Sequence, residues 1–372
     1  MDTSNNNRLN ILDLPNEILL NIISKLSFID VFYSLVDINE RFYQLAVDPL
    51  YIRHLDMAVM TMKSLFEYTS SVDDQVLSKI CENILPFIHS QVYKLTLEQH
   101  SIERILLNGS YPKLYSISLV NFQKEKLFHY LTVRFNSNVI DGIQLHDEIL
   151  VHMPRLNKFT FSINAEFRIE NDIKTDIRTK EDIQHSFIGK EFGQVQVGSY
   201  VYYKRLCSII EYHIYTLPYQ FENFLYLNNS FQGGMFHNVR RLTMKDNRHY
   251  FEHQLLKVIS EDFPFLKELI IKNVLPQQKK QHSSSLITFR HLILLNLAQA
   301  HVDYAEEFLV DKNIHLPCLL NLRIKFESLE MVTKNFTNDA THLTCAKLKK
   351  LHIDDRSNEI IRTKETYALS YT

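Results

Sequence analysis

Apolar residues in the first fifty positions recur with a helical period. Ile18, Ile22 and Leu26 stand at successive four-residue steps, flanked by Leu19 and Ile23. That spacing predicts an amphipathic helix of about three turns. Pro15 suits its start, because the missing N–H is not needed there. Glu17 falls in the first turn, where the helix dipole favours an acid. Ser27 followed by Asp30 has the form of a capping box for a second helix carrying Val31, Leu35 and Val36. Asn39 can cap a third helix, with Phe42 and Leu45, that stops before Pro49. Helices this short bury little surface, so a partner or the next domain must cover part of them.

Past residue 50 the period shortens to two. Short L-x-L strands recur, as in YPKLYSISL (111–119), FPFLKELII (263–271), LPCLLNLRI (316–324) and CAKLKKLHI (345–353). Their leading apolar positions are Leu95, Ile117, Phe159, Leu242, Leu269, Leu292, Leu322 and Leu351. Most steps lie near the roughly 20–30 residues of a leucine-rich repeat, with longer gaps before Phe159 and Leu242. In such a strand the two leucines point inward and the residue between them points out. No unit buries its own face, so neighbours must stack. Helical returns are expected at 251–263 and 301–312.

The expected fold class is therefore α/β. A three-helix domain occupies 1–50, a helical linker 51–85, and a leucine-rich-repeat-like body of parallel strands with helical returns 86–354. Residues 164–234 break the rhythm and read as an irregular insertion, although QVQVGSYVYYKR within it alternates like a strand. Residues 355–372 read as a frayed tail.

The first segment resembles an F-box. The family pattern is met in order by Leu14-Pro15, Glu17, Ile18-Leu19, Ile22, Leu26, Asp30, Leu35-Val36, Arg41-Phe42 and Asp48-Pro49. Phe42 stands where many members carry Trp, and Asn39 lies near a position often held by Cys or Ser. The resemblance implies docking to the Skp-type adaptor of cullin–RING (SCF-type) ubiquitin ligases. The docking residues it implies are Leu14, Pro15, Ile18, Leu19, Ile22, Leu26, Leu35 and Val36. With the repeat-like body, the closest likeness is to the large divergent F-box/repeat families of invertebrates.

Composition removes several chemistries. The chain has 372 residues and seven glycines, none in GxGxxG or GxxxxGK[ST]. Phosphate-cradling loops need those glycines, so a Rossmann nucleotide enzyme or a P-loop NTPase is not expected. Lys plus Arg is 41 and Asp plus Glu is 43, a net charge of −2 that exerts no global pull toward nucleic acid or anionic membrane. Cys81, Cys207, Cys318 and Cys345 are too few for a disulfide framework and fit a reducing compartment, cytoplasm and/or nucleus. The polar start lacks a signal core, and no apolar run is long enough for a membrane helix.

His315–Cys318 and His342–Cys345 are both HxxC, a possible zinc donor set. Their separation is close to one repeat, so repetition alone accounts for the likeness, with the cysteines as small buried residues. Neither GxSxG, CxxC nor HExxH occurs, and no catalytic residue, metal or cofactor is expected.

Outward positions beside the strand leucines carry Lys94, Lys158, Arg241, Lys245, Lys272, Arg323, Lys325 and Lys350, against Glu98, Glu268 and Asp354. This bias has two readings: solvated lysines on exposed strand edges, or a substrate-binding face for an acidic or phosphorylated segment, centred on Arg241, Lys245, Lys272, Arg323 and Lys325. The expected function is substrate recruitment to the ligase, with no bond chemistry in this chain. The alternative is a non-ligase binding scaffold that keeps the helical head only as a cap.

Overall fold

A computed structural model describes residues 11–35, 38–48, 52–58, 61–64, 67–69, 72–123, 141–151, 153, 155–169, 179–190, 192–204, 207–277, 286–310, 313–335, 337, 342–354 and 359–363. Val36 and Pro49 lie outside these residues, as do parts of the expected insertion and tail. The chain divides into two compact units, Met1–Arg134 with His146–Phe161, and Phe135–Leu145 with Ser162–Thr372.

The first unit opens with α1 (Asn16–Ile23), α2 (Phe28–Ser34) and α3 (Glu40–Ala46). α1 is shorter than the apolar period suggests. The N–H groups of Lys25 and Leu26 turn to the carbonyls of Ile22 and Ile23, three residues back, and close the helix. Both caps form, but the capping box expected at Ser27 does not close, because the Asp30 carboxylate takes the Ser27 hydroxyl and not its backbone N–H. Ser27 Oγ accepts from Asp30 N at 3.0 Å and donates to Asp30 Oδ2 at 2.6 Å. Asn39 Oδ1 accepts from Phe42 N at 3.0 Å.

The span 51–85 is not simply a helical linker. It holds β1 (His54–Asp56), β2 (Thr61–Ser64) and β3 (Glu67–Thr69), then α4 (Asp74–Asn83). α2 packs on both β1 and α4. After α5 (Leu85–Ile88) come β4 (Lys94–Glu98), α6 (Ile102–Leu107) and β5 (Ser116–Gln123). β1, β4 and β5 run parallel with Leu55, Leu95 and Ile117 in register, all buried.

In the second unit α7 (Gly142–Leu145) precedes the end of β6 (Lys158–Ile169), α8 (Lys180–His185), β7 (Gln194–Lys204) and β8 (Cys207–Leu217). β6, β8 and β7 pair antiparallel, so much of the expected insertion is an ordered sheet. Only two residues separate β7 from β8, a link too short for a parallel crossover.

A seven-stranded sheet follows. Its parallel members are β9 (Asn223–Leu227), β10 (Arg241–Lys245), β11 (Glu268–Asn273), β13 (Leu294–Ala300), β15 (Asn321–Lys325) and β16 (Lys350–Asp354). β12 (Ile287–Thr288) and β14 (Ile314–His315) form a small parallel pair of their own. α9 (His253–Asp262), α10 (Val302–Leu309) and α11 (Phe326–Thr333) lie between strands, the first two where the apolar pattern predicts returns. α12 (His342–Cys345) precedes β16. β17 (Glu359–Thr363) pairs antiparallel with β16, so the expected tail contributes a strand.

The register is set by one backbone device. The N–H groups of Lys267 and Glu268 both donate to the Arg240 carbonyl, at 2.8 and 2.9 Å. Those of Ile293 and Leu294 meet Lys267, those of Leu320 and Asn321 meet Ile293, and those of Lys349 and Lys350 meet Leu320. The first unit repeats it on the carbonyls of Arg53, Tyr93 and Tyr115. Because each strand begins from the same point of its predecessor, Leu242, Leu269, Leu295, Leu322 and Leu351 form one buried row. Leu295 takes the place expected for Leu292, which is buried just before the strand.

An aromatic cluster of Tyr215, Tyr219, Phe224, Phe236 and Phe263 fills the core near the start of the parallel strands. Beside it the buried His213 Nε2 lies 2.9 Å from Ser162 Oγ, and Tyr219 Oη donates to the Asn223 carbonyl at 2.6 Å. Burial pushes the His213 pKa down to about 3.

Two outcomes follow. Leu269→Ala or Leu322→Ala is expected to cost about 2–5 kcal/mol in urea denaturation, whereas Val274→Ala, at an exposed site, changes stability by about 0.5 kcal/mol or less. The unfolded chain protonates its histidine near pH ~6.5 while folded His213 stays neutral to about pH 3. Stability from this residue is therefore complete above pH ~6.5 and falls as pH drops toward 3, by up to ~1.4 kcal/mol per pH unit. His213→Gln should flatten that slope in denaturation curves taken between pH 4 and 7.

Candidate docking surfaces

The head divides the apolar residues of α1 between two faces. Leu19 and Ile23 are buried at 0% and 1% exposure; Phe28, Phe32 and Phe42 in the same unit are also buried, and α1 packs on α3. Ile18, Ile22 and Leu26 stay 47%, 41% and 43% exposed. Pro15 is also exposed, while Leu14 and Leu35 are half-buried. Of the residues expected to dock a partner, Leu19 thus belongs to the core of the head. One position along a helix turns a side chain by about 100°, enough to change its face. The spacing did not flag Ile11, Leu12 and Ile38, which are exposed in the segments leading into α1 and α3. The signal for Ile11 and Leu12 was the run ILDLP just ahead of the first helix.

Arg41, on α3, holds the Leu-Pro turn in place. Its guanidinium donates to the Leu12 carbonyl, to the Leu14 carbonyl at 2.6 Å and to Asn16 Oδ1 at 2.9 and 2.7 Å. A planar fork of donors can satisfy several acceptors at once, which an ammonium cannot do as well. The turn that presents Leu14 and Pro15 therefore depends on a residue some 25 positions downstream.

The outward basic residues do not form the continuous positive stripe expected of them. Arg241 Nε lies 3.2 Å from Glu268 Oε2. Arg323 Nε donates to Asp354 Oδ1 and Oδ2 at 3.0 and 3.1 Å. Lys245 Nζ lies 3.4 Å from Glu211 Oε1 and 5.2 Å from the Tyr226 ring centroid. Parallel pairing sets Arg241 opposite Glu268, and brings Asp354 to the strand beside Arg323, so much of the charge cancels across strands. Lys272 and Lys325 are half-buried, and neither has an ion pair among the described residues.

Other chemistry is sparse. No group of three or more His, Cys, Asp or Glu among the described residues could hold a metal ion. Cys318 is exposed and Cys345 only partly covered, so neither is the small buried residue that repetition suggested. Ser162 and His213 are within hydrogen-bonding distance, yet both side chains are almost wholly buried. A groove of about 380 Å³ beside α8 is lined by Glu181, Gln184, His185, Ile188 and Val195 among others. No described helix is long and apolar enough to cross a membrane.

Arg41→Ala is expected to destabilise the head by about 1.5–3 kcal/mol, read by urea titration, because it strips charge-assisted bonds from the turn. Arg41→Lys should restore only part of that loss. Comparison with known proteins finds no curated protein that matches the chain. The F-box domain family matches residues 11–49, the span of α1, α2, α3 and the turn that Arg41 holds.

Proposed function

We propose that this chain is the substrate-recognition subunit of an SCF-type cullin–RING ubiquitin ligase. Its head docks a Skp-type adaptor, and its parallel-stranded, leucine-rich-repeat-like body recruits a protein substrate. The observation that carries the reading is the exposed row Ile18, Ile22 and Leu26 beside the Leu14-Pro15 turn, in a segment matching the F-box family. F-box proteins are typically non-catalytic adaptors that bind Skp-type partners. Three large apolar side chains displayed on one short helix and the turn that closes it suit burial by a partner more than contact with water. Leu35, the C-cap of α2, is half-buried, and we assign it to the same docking set. The free thiols fit work in the cytoplasm or nucleus.

A second reading follows from α2 packing on α4 and β1. A helical cap on a binding scaffold would make those contacts without any adaptor.

Adaptor binding separates the two. The double variant Ile18→Glu with Ile22→Glu should bind a purified Skp-type adaptor at least about 100-fold more weakly than the parent, since truncated anchor residues cost about 2 kcal/mol or more each. Its thermal midpoint should be unchanged, because both sites are exposed. Leu19→Ala should instead lose about 2–5 kcal/mol of stability. Adaptor binding by the folded double variant at parental affinity would sink the ligase reading and leave the scaffold.

A further inference from the structure

Two departures from regular pairing flank one row of the parallel sheet. Phe224 pairs with Leu242 but Leu227 with Met244, so β9 carries an extra residue there. Within that bulge Tyr226 has φ +63°, a left-handed conformation uncommon for an aromatic residue. On the other side Ile270 pairs with Asn296 but Lys272 with Gln299, so β13 bulges too. Asn296 Oδ1 accepts the Ala298 N–H at 3.1 Å and stabilises that bulge. Bulges re-aim side chains, and strained aromatic residues persist where the surroundings hold them for a purpose.

Between the bulges Lys245 and Lys272 sit side by side on adjacent parallel strands. Strands lie about 4.8 Å apart, so two ammonium groups share one small area. Lys245 is shared with Glu211 and lies over the Tyr226 ring. Lys272 is half-buried, and no ion pair or side-chain hydrogen bond engages it among the described residues. Burial and the neighbouring Lys245 charge both lower its pKa, as they must where a second cation lacks a counter-ion.

We infer that Lys272, with Lys245 and Tyr226, is the anchor point for a carboxylate side chain of an extended, acidic partner segment. The inference rests on the proposed substrate-recruiting role of this body and names the chemistry it recognises. Charge decides for a carboxylate over a phosphate. Glu211 already offsets Lys245, so about one positive charge remains for the ligand, which matches a monoanion. The guanidinium groups suited to gripping phosphate bidentately are committed, Arg241 to Glu268 and Arg323 to Asp354. The half-exposed Tyr226 ring offers an apolar contact to the residue beside the acid.

The test uses the full chain and a fluorescein-labelled hexaglutamate peptide, read by fluorescence anisotropy. Lys272→Met and Lys272→Gln should each weaken binding at least fivefold, while Lys334→Gln, at an exposed site remote in sequence, changes it less than twofold. Binding to the parent should weaken with added salt. Tyr226→Gly should weaken binding without lowering the thermal midpoint, since it removes a left-handed tyrosine. Adaptor capture by the head is measured on the same variants and should not change, so a failure here is distinct from a failure of the ligase reading. The inference is overturned if the parent does not bind the peptide, or if both folded Lys272 variants bind at parental affinity. It is also overturned if a phosphoserine peptide of equal length binds more tightly than hexaglutamate and depends on Lys272.

Discussion

One shared carbonyl at each strand start governs the parallel strands of both units. Two successive N–H groups converge on a single oxygen of the preceding strand, from Arg53 in the first unit to Leu320 in the second. A parallel strand cannot satisfy its own backbone, and a slip of one residue would turn its leucines to the opposite face. Fixing the first hydrogen bonds fixes the phase of everything that follows. Leu242, Leu269, Leu295, Leu322 and Leu351 then bury in a row, and the polar positions between them face outward. The charge pairing depends on the same phase, since Arg241 meets Glu268 only in that register.

The head works under a different constraint. So small a set of helices has too little interior for all its apolar residues, and α1 resolves this by facing two ways. Leu19 and Ile23 close the core, while Ile18, Ile22 and, just past the helix end, Leu26 stay exposed. The caps at Ser27 and Asn39 start α2 and α3 independently of any partner. Arg41 then locks the turn at Leu14 and Pro15 from a distance in sequence, within the chain itself.

Legibility in the sequence followed the strength of the local pattern. β10, β11, β15 and β16 were readable because each sets inward leucine or isoleucine against outward charge. β13 was read three residues early, at Leu292 in place of Leu295. The run LILLNL carries leucines in both phases, and only pairing with Leu269 shows that Leu295 is the inward one. β1, with three residues, and β17, rich in charge, offered no alternation long enough to detect. β8 and its Glu211 lay inside a span whose polar opening masked an ordered antiparallel sheet.

What the sequence determined by itself was everything carried by neighbours a few residues apart. That covers the caps, the amphipathic first helix, the returns at 253–262 and 302–309, and the ordered F-box pattern over 11–49. These depend on backbone and side-chain groups within one or two helical turns, so spacing alone encodes them. Tertiary structure decided which side of α1 is core, which cations are neutralised and where the sheet bulges. Each of those depends on residues brought together from well beyond one or two helical turns, as Phe224 with Leu242 or Arg323 with Asp354. An outward lysine reads the same in sequence whether or not a carboxylate lies on the next strand, so only the register separates Arg323, held by Asp354, from Lys272.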